Sequence, residues 1–199
     1  MLKNTTATFL FGIKQTVLIF NIALAFFLMP LSASGQDKNN YVAVKPGLYT
    51  FTGGLKDSDF ATGFNGEIVV GHYLNSNIAL ETGACYMHDG IIEGRRNVRF
   101  VQIPLTAKGI YPLGNVEVAY GGGIGVSFAK LYGEFNGIHV DERDTVFGGH
   151  LLLGANFNIS HTTFIGIEGK YNFTEKARFN SVETNLNGYS VSANLGLRF

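Results

Sequence analysis

Apolar and polar residues alternate along the final segment of the chain. From Tyr189 to Phe199 every second residue is apolar, and the residues between them are small or polar. Alternation with a period of two is typical of a β-strand that has one apolar and one polar face. The length of the segment also matches the roughly 9–11 residues that a tilted strand needs to cross a bilayer. The segment is therefore predicted to be a membrane-spanning strand.

The same alternation recurs in seven earlier segments of the chain. These segments are residues 41–51, 63–73, 78–86, 100–111, 116–128, 147–159 and 163–173. Short turns near residues 75, 113 and 160 alternate with longer polar connections at 52–61, 87–99, 129–145 and 174–187. Short turns at one end and long loops at the other are typical of transmembrane β-barrels. The predicted fold is therefore all-β, an eight-stranded antiparallel up-and-down transmembrane barrel.

Aromatic residues near the predicted strand ends suggest two girdles at the membrane interfaces. The set at the short-turn end comprises Tyr41, Tyr73, Tyr111, Phe157 and Phe199. The set at the long-loop end comprises Tyr86, Phe100, Phe128, Phe147, Phe173 and Tyr189.

The first 35 residues have the pattern of a cleavable export signal. Lys3 and Lys14 give a positive start, residues 17–29 are an apolar run, and the small residues 33–35 follow it. The run is short for a transmembrane helix, which needs about 20 apolar residues, and a small-residue site after it is typical of signal peptides. We expect residues 1–35 to be a signal peptide and residues 36–199 to be the barrel domain.

Composition and charge are consistent with this fold and argue against some partners. The hydrophobic content of 46% is ordinary for a globular protein. A transmembrane barrel has a similar hydrophobic content, because only alternate residues of its strands face lipid. The 15 basic and 15 acidic residues give a formal net charge of zero, which argues against a nucleic-acid partner. The single cysteine, Cys85, excludes an intramolecular disulfide.

Three motifs lie in order along the predicted strands. They are QIPLTAKGIY at residues 102–111, YGGGIG at 120–125 and NLGLRF at 194–199. In this order and spacing the chain resembles the small outer-membrane β-barrel (porin-like) family of Bacteroidetes-type bacteria, over about residues 40–199. The resemblance implies a bacterial outer-membrane location and contact with outer-membrane lipid and lipopolysaccharide. It also implies that Phe199 is a C-terminal insertion signal, read by the barrel-insertion machinery.

Charged residues on the polar strand faces are predicted to point into the barrel. Four positive and four negative side chains, with His150, make up this predicted lumen network: Lys45, Glu67, Glu81, Lys108, Glu117, His150, Glu168, Lys170 and Arg198. The interior of an eight-stranded barrel is just wide enough for side chains, and an isolated buried charge is costly. We therefore predict a neutral, interlocked plug; the alternative is an ion path through the same residues.

Catalytic and metal chemistry has little support in the sequence. The five histidines lack the spacing of metal ligands. No Gly-x-Ser-x-Gly motif and no Ser/His/Asp spacing supports a nucleophile. No catalytic residue, metal, cofactor or enzymatic activity is therefore expected.

Three kinds of function remain open at this point. The preferred one is a structural or surface-interaction barrel with four extracellular loops, in which the charged loops 88–99 and 130–145 are candidate sites for a surface ligand. The alternative is a small-solute or ion channel. The third is a soluble, lipocalin-type barrel with its apolar face around a ligand, which the low charge density of the polar faces disfavours.

Overall fold

A computed structural model of the chain describes residues 39–52, 62–88, 96–135, 138–179 and 182–199. The predicted signal peptide, residues 1–35, lies outside the described residues, as does most of the predicted loop 52–61. The strands are β1 (Asn40–Phe51), β2 (Thr62–Asn75), β3 (Ile78–His88), β4 (Arg96–Leu113), β5 (Val116–Phe135), β6 (Ile138–Asn158), β7 (Thr163–Thr174), β8 (Lys176–Phe179), β9 (Val182–Asn185) and β10 (Gly188–Arg198). The described residues contain no helix with the length and hydropathy of a membrane span.

Eight of these strands close into an antiparallel barrel. Their order around the wall is β1-β10-β7-β6-β5-β4-β3-β2, and β8 and β9 form a separate two-stranded hairpin. The seam joins the first strand to the last, from Tyr41 opposite Arg198 to Phe51 opposite Gly188. The predicted eight-stranded antiparallel barrel is confirmed.

Alternating side chains divide the wall into an apolar outer face and a largely polar inner face. Along β10 the burial of side chains alternates residue by residue. Val191, Leu195 and Leu197 are 50%, 51% and 53% exposed on the outside, whereas Ser190 and Ser192 are buried inside. A contiguous apolar surface of this kind is unfavourable in water. The apolar residues of the strands therefore face outward and the polar residues face the lumen, as the sequence predicts.

The aromatic girdles are only partly as predicted. Tyr41 and Phe100 are buried and Tyr73 packs with the interior, so the prediction is wrong for these three. Side chains two residues apart share a strand face, and Tyr41 has the parity of the buried Lys45, as Phe100 has that of the buried Gln102. Phe147 is half-buried. The other predicted girdle residues are exposed on the outer face: Tyr86, Tyr111, Phe128, Phe157, Phe173, Tyr189 and Phe199.

Three strands at the long-loop end continue past their predicted boundaries. β4, β5 and β6 stay paired well into the segments predicted as loops, including most of 129–145. The alternation persists there, because Ala129 and Leu131 are buried whereas Lys130 and Tyr132 lie on the opposite face. Lys130, Asp141 and Arg143 therefore lie on the outer face of a three-stranded extension, whereas Glu142 and Asp144 are paired with the buried Leu131 and Ala129 and have the parity of the inner face.

Glycines in β5 allow close packing of the neighbouring strand and of a side chain inside the barrel. A Cβ atom added at Gly121 or Gly123 would clash with the backbone oxygen of Ala107 or Leu105, respectively, in β4. At Gly123 it would also lie 2.8 Å from the His150 ring. Glycine at this position therefore leaves room for the imidazole in a narrow barrel.

Candidate functional site

Four charged side chains form an alternating ring in the middle of the barrel. Lys45 Nζ lies 2.8 Å from Glu81 Oε1 and 3.1 Å from Glu168 Oε1. Lys108 Nζ lies 2.9 Å from Glu81 Oε2 and 2.7 Å from Glu168 Oε2. The four residues come from β1, β3, β4 and β7, so the ring joins strands from both halves of the wall. Each ammonium group contacts both carboxylates, which places unlike charges next to each other around the ring.

A second ion pair extends this ring towards β2. Lys170 Nζ lies 2.8 Å from Glu67 Oε2 and 3.8 Å from Glu168 Oε1. Tyr41 donates its hydroxyl hydrogen to Glu81 Oε2 at 2.8 Å. All six charged side chains are buried, and desolvating them would be strongly unfavourable without such pairing and hydrogen bonding. We call these three lysines and three glutamates (Lys45, Glu67, Glu81, Lys108, Glu168 and Lys170) the central ion cluster; its formal charge is zero.

Glu117 and Arg198 form a separate pair near the short-turn end. Arg198 Nη2 lies 2.8 Å from Glu117 Oε2, and Arg198 Nε donates to the Tyr73 hydroxyl oxygen at 3.2 Å. The guanidinium group also lies over the Phe164 ring, 4.7 Å from its centroid. A cavity of about 20 Å³, which is room for roughly one water molecule, lies between this pair and the central ion cluster.

His150 lies inside the barrel but takes no part in an ion pair among the described residues. Its Nε2 atom lies 2.9 Å from Thr106 Oγ1, within hydrogen-bond distance. The imidazole is buried on β6, facing Gly123 of β5 across the strand pair. It has the inward-facing parity of β6, and its partner is a hydroxyl group rather than a charge.

Neutral polar side chains continue the interior from the central ion cluster towards the long-loop end. Asn65 Nδ2 donates to Ser192 Oγ at 2.9 Å, and Cys85 Sγ donates to Asn65 Oδ1 at 2.9 Å. The lumen network predicted from the sequence consists of charged residues and His150 and does not include this neutral group. Strand parity would have found it, because Asn65 lies two residues from Glu67 on the same face.

The long-loop half of the lumen is filled by apolar side chains. We call this cluster the apolar roof; its members are Tyr49, Phe51, Cys85, Met87, Val98, Phe100, Ala129, Leu131, Val146, Ala177, Phe179 and Leu186. Aromatic rings pack edge to face within it, with ring centroids 5.0 Å apart for Tyr49 and Phe51 and 5.7 Å apart for Tyr49 and Phe100. The roof and the central ion cluster therefore fill the lumen at two successive depths.

The β8–β9 segment completes the roof from above. Ala177, Phe179 and Leu186 are at most 1% exposed, although they lie in the segment 174–187, which is predicted to be a polar loop. The Tyr49 hydroxyl donates to the Leu186 carbonyl oxygen at 2.6 Å, and Leu186 N–H donates to Thr174 Oγ1 at 2.9 Å. The isolated apolar residues in an otherwise polar segment are the one sequence signal of this packing.

The site offers packing and charge pairing rather than reactive groups. Among the described residues, no three or more His, Cys, Asp and Glu side chains are arranged to hold a metal ion. The buried lysines and glutamates of the central ion cluster neutralise each other in ion pairs. The arrangement therefore fills and fixes the interior of the barrel.

The comparison with protein families decides what kind of barrel this is. A family model described as the outer membrane protein beta-barrel domain matches residues 20–199. The chain belongs to this outer-membrane β-barrel family. The protein is accordingly located in the bacterial outer membrane. A search of curated proteins finds no significant match, and the narrower Bacteroidetes-type assignment stays a prediction.

Solved structures of other outer-membrane barrels share the fold. Neisserial surface protein A matches with a TM-score of 0.66 and 16% identity, over 80% of this chain and 97% of that chain. The N-terminal β-barrel domain of Pseudomonas aeruginosa OprF matches with a TM-score of 0.56 and 12% identity, over 82% and 100%. Ail, the attachment invasion locus protein of Yersinia pestis, matches with a TM-score of 0.53 and 14% identity, over 82% and 100%. At these identities the likeness establishes the fold.

Membership of the outer-membrane β-barrel family orients the chain in the membrane. Barrels of this kind have short periplasmic turns and longer extracellular loops, so the apolar roof lies at the extracellular end and the Glu117–Arg198 pair at the periplasmic end. The exposed apolar face contacts lipid. The lipocalin-type alternative is wrong, because it requires the apolar face inside and the polar face outside.

Proposed function

We propose that the protein is a closed, non-enzymatic outer-membrane barrel that works through its extracellular surface. The observation that carries the proposal is the two-layer filling of the lumen, by the central ion cluster and by the apolar roof. An eight-stranded barrel has just enough interior for its own side chains. A hydrated ion would have to displace both layers, which makes the channel alternative unfavourable.

The three-stranded extension is the part of the chain that fits a surface role. β4, β5 and β6 remain paired beyond the barrel wall, with Arg96 opposite Gly133 and Gly133 opposite Val140. The β8–β9 hairpin is joined to it, because Arg178 N–H donates to Asp144 Oδ2 at 2.7 Å. Hydrogen-bonded strands give a ligand a more rigid platform than a free loop. The described parts of the candidate ligand segments 88–99 and 130–145 are paired with each other on this platform.

The names of structurally similar proteins agree with such a role. One is a Neisserial surface protein. Another is the attachment invasion locus protein of Yersinia pestis, which has also been solved in complex with the heparin analogue sucrose octasulfate, at a TM-score of 0.52 and 13% identity. The proposal for this chain rests on its closed lumen and its paired extension. Recognition of Phe199 by the insertion machinery is a further part of the proposal.

Conductance measurements test the closed lumen. The folded protein, inserted into a planar bilayer, is expected to show no sustained conductance under conditions in which a general porin conducts. The physical reason is that the ion cluster and the roof block the lumen at two depths. A sustained conductance that disappears in Glu117→Gln or Lys108→Met would replace this proposal with the ion-path alternative.

Trimming the extension tests the surface role. Replacing residues 132–141 by Asn-Gly joins Leu131 to Glu142, which are directly opposite each other, through a favoured two-residue hairpin turn. This variant keeps the roof residue Leu131. Gram-negative cells that display the trimmed barrel are expected to lose binding to cultured epithelial cells that the full-length barrel confers.

Expression level and band shift on heating should be the same for the trimmed and full-length barrels, which controls for folding. Equal binding by cells that display either barrel would show that the extension is not the interacting surface.

A further inference from the structure

Four basic side chains form a row across the outer face of the barrel. In the strand register His88 lies opposite Arg99, Arg99 opposite Lys130, and Lys130 opposite Arg143. Directly paired residues in an antiparallel sheet point to the same face. This is the outer face, because Arg99 shares its parity with the exposed Val101. We call these four residues the basic row; it spans three strand spacings, roughly 14 Å.

The basic row lies just outside the apolar belt of the wall. On β3, β4 and β5 the residues two positions nearer the membrane are Tyr86, Val101 and Phe128, which are 40%, 38% and 36% exposed on the outer face; on β6 it is the exposed Thr145. Two residues along a strand correspond to roughly 7 Å. The change from apolar and aromatic to basic side chains therefore falls at the extracellular membrane interface, where aromatic residues of a barrel mark the headgroup level.

The charges in the basic row are placed unfavourably for the protein alone. Like charges directly opposite each other on adjacent strands are destabilising, and Arg99, Lys130 and Arg143 occupy three adjacent strands in one row. Lys130 Nζ lies 2.8 Å from Asp141 Oδ1. Within the described part of the chain, neither Arg99 nor Arg143 has an ion-pair partner, and both are exposed. An external anion bound between them would relieve this repulsion.

The geometry points to the phosphate groups of lipopolysaccharide in the outer leaflet as that anion. A guanidinium group binds a phosphate through two parallel hydrogen bonds, and Arg99 and Arg143 flank the ammonium group of Lys130. The height of the row matches the headgroups of a lipid whose acyl chains cover the apolar belt below. Arg99, Lys130 and Arg143 lie outside the trimmed residues 132–141, of which Asp141 is paired with Lys130. Binding of lipopolysaccharide at this site on the barrel wall does not depend on the proposed surface role.

Titration of the detergent-solubilised barrel with rough lipopolysaccharide tests the assignment. Each basic residue near an anionic membrane surface changes binding by roughly fivefold, so Arg99→Gln/Arg143→Gln is expected to weaken binding about 25-fold. Arg99→Lys/Arg143→Lys keeps the charge and is expected to retain phosphate-dependent binding. Lipopolysaccharide stripped of its phosphates is expected to bind the wild type as weakly as intact lipopolysaccharide binds the double glutamine variant. Inorganic phosphate, which lacks the acyl chains, is expected to compete only weakly.

The matched control also removes two positive charges from the extracellular side, but from β8 instead of the basic row. Lys176→Gln/Arg178→Gln changes two exposed residues of β8 and is expected to leave binding unchanged. An unshifted affinity in Arg99→Gln/Arg143→Gln would overturn the assignment, as would an equal loss in the β8 control or equal binding of dephosphorylated lipopolysaccharide. A normal band shift on heating shows that each variant is folded.

Discussion

Glu81→Gln is expected to destabilise the folded barrel by about 3–5 kcal/mol, the usual cost of removing one partner from a buried ion pair. Glu81 contacts Lys45, Lys108 and the Tyr41 hydroxyl. Neutralising it leaves three buried ammonium groups facing two carboxylates. The free energy of unfolding, measured by urea titration of the protein folded in lipid vesicles, should fall by this amount.

A second substitution provides the control for this result. Glu81→Gln/Lys108→Met restores equal numbers of positive and negative charges in the central ion cluster and is expected to be more stable than Glu81→Gln alone. A recovery of stability in the double variant would show that the loss in Glu81→Gln comes from an unpaired buried charge and not from the changed shape of the side chain. A loss below about 1 kcal/mol for Glu81→Gln, which is typical of solvated pairs, would mean that water reaches the cluster.

Ile167→Arg is expected to lower the free energy of unfolding in lipid by about 2–4 kcal/mol, the cost of arginine on the lipid face at the bilayer midplane. Ile167 lies near the middle of β7, opposite Ala155 and Ala193, and is 57% exposed on the outer face. Its side chain therefore contacts acyl chains rather than headgroups. Urea titration in vesicles measures this effect as well.

Leu113→Arg is the matched control for depth. Leu113 is 53% exposed at the end of β4, beside the short turn to Val116. Arginine near the interface costs only about 0–1 kcal/mol, so the two substitutions should differ clearly. Equal costs at Ile167 and Leu113 would contradict the placement of the apolar belt across the bilayer.

The barrel and its two faces follow from the sequence because alternation is a local property. A strand residue faces inward or outward according to its parity, so Lys45, Glu81 and Lys108 could be assigned to the interior without any knowledge of their partners. The number of strands follows from counting such segments. The girdle prediction is wrong for Tyr41, Tyr73 and Phe100 because parity, and not residue type or position at a strand end, decides which face a side chain occupies.

The partners inside the lumen could not be predicted because they depend on register between strands distant in sequence. Lys45 meets Glu168, which is 123 residues away, while Arg198 meets Glu117 in a separate layer. The apolar roof was missed for a related reason. Phe179 and Leu186 lie in a segment that is polar overall, and only the closed barrel provides the cavity in which they become buried.

The central ion cluster also has a consequence for the assembly of the barrel. It joins β1 to β7, so it forms only when chain segments far apart in sequence have come together, and contacts of this kind slow folding. A shift of one residue between two strands turns every side chain of one strand to the opposite face. For β1 that shift would expose Lys45 to lipid and leave Glu81 with one cation fewer inside. The ion cluster therefore discriminates against misregistered barrels, because only the correct register brings its charges together.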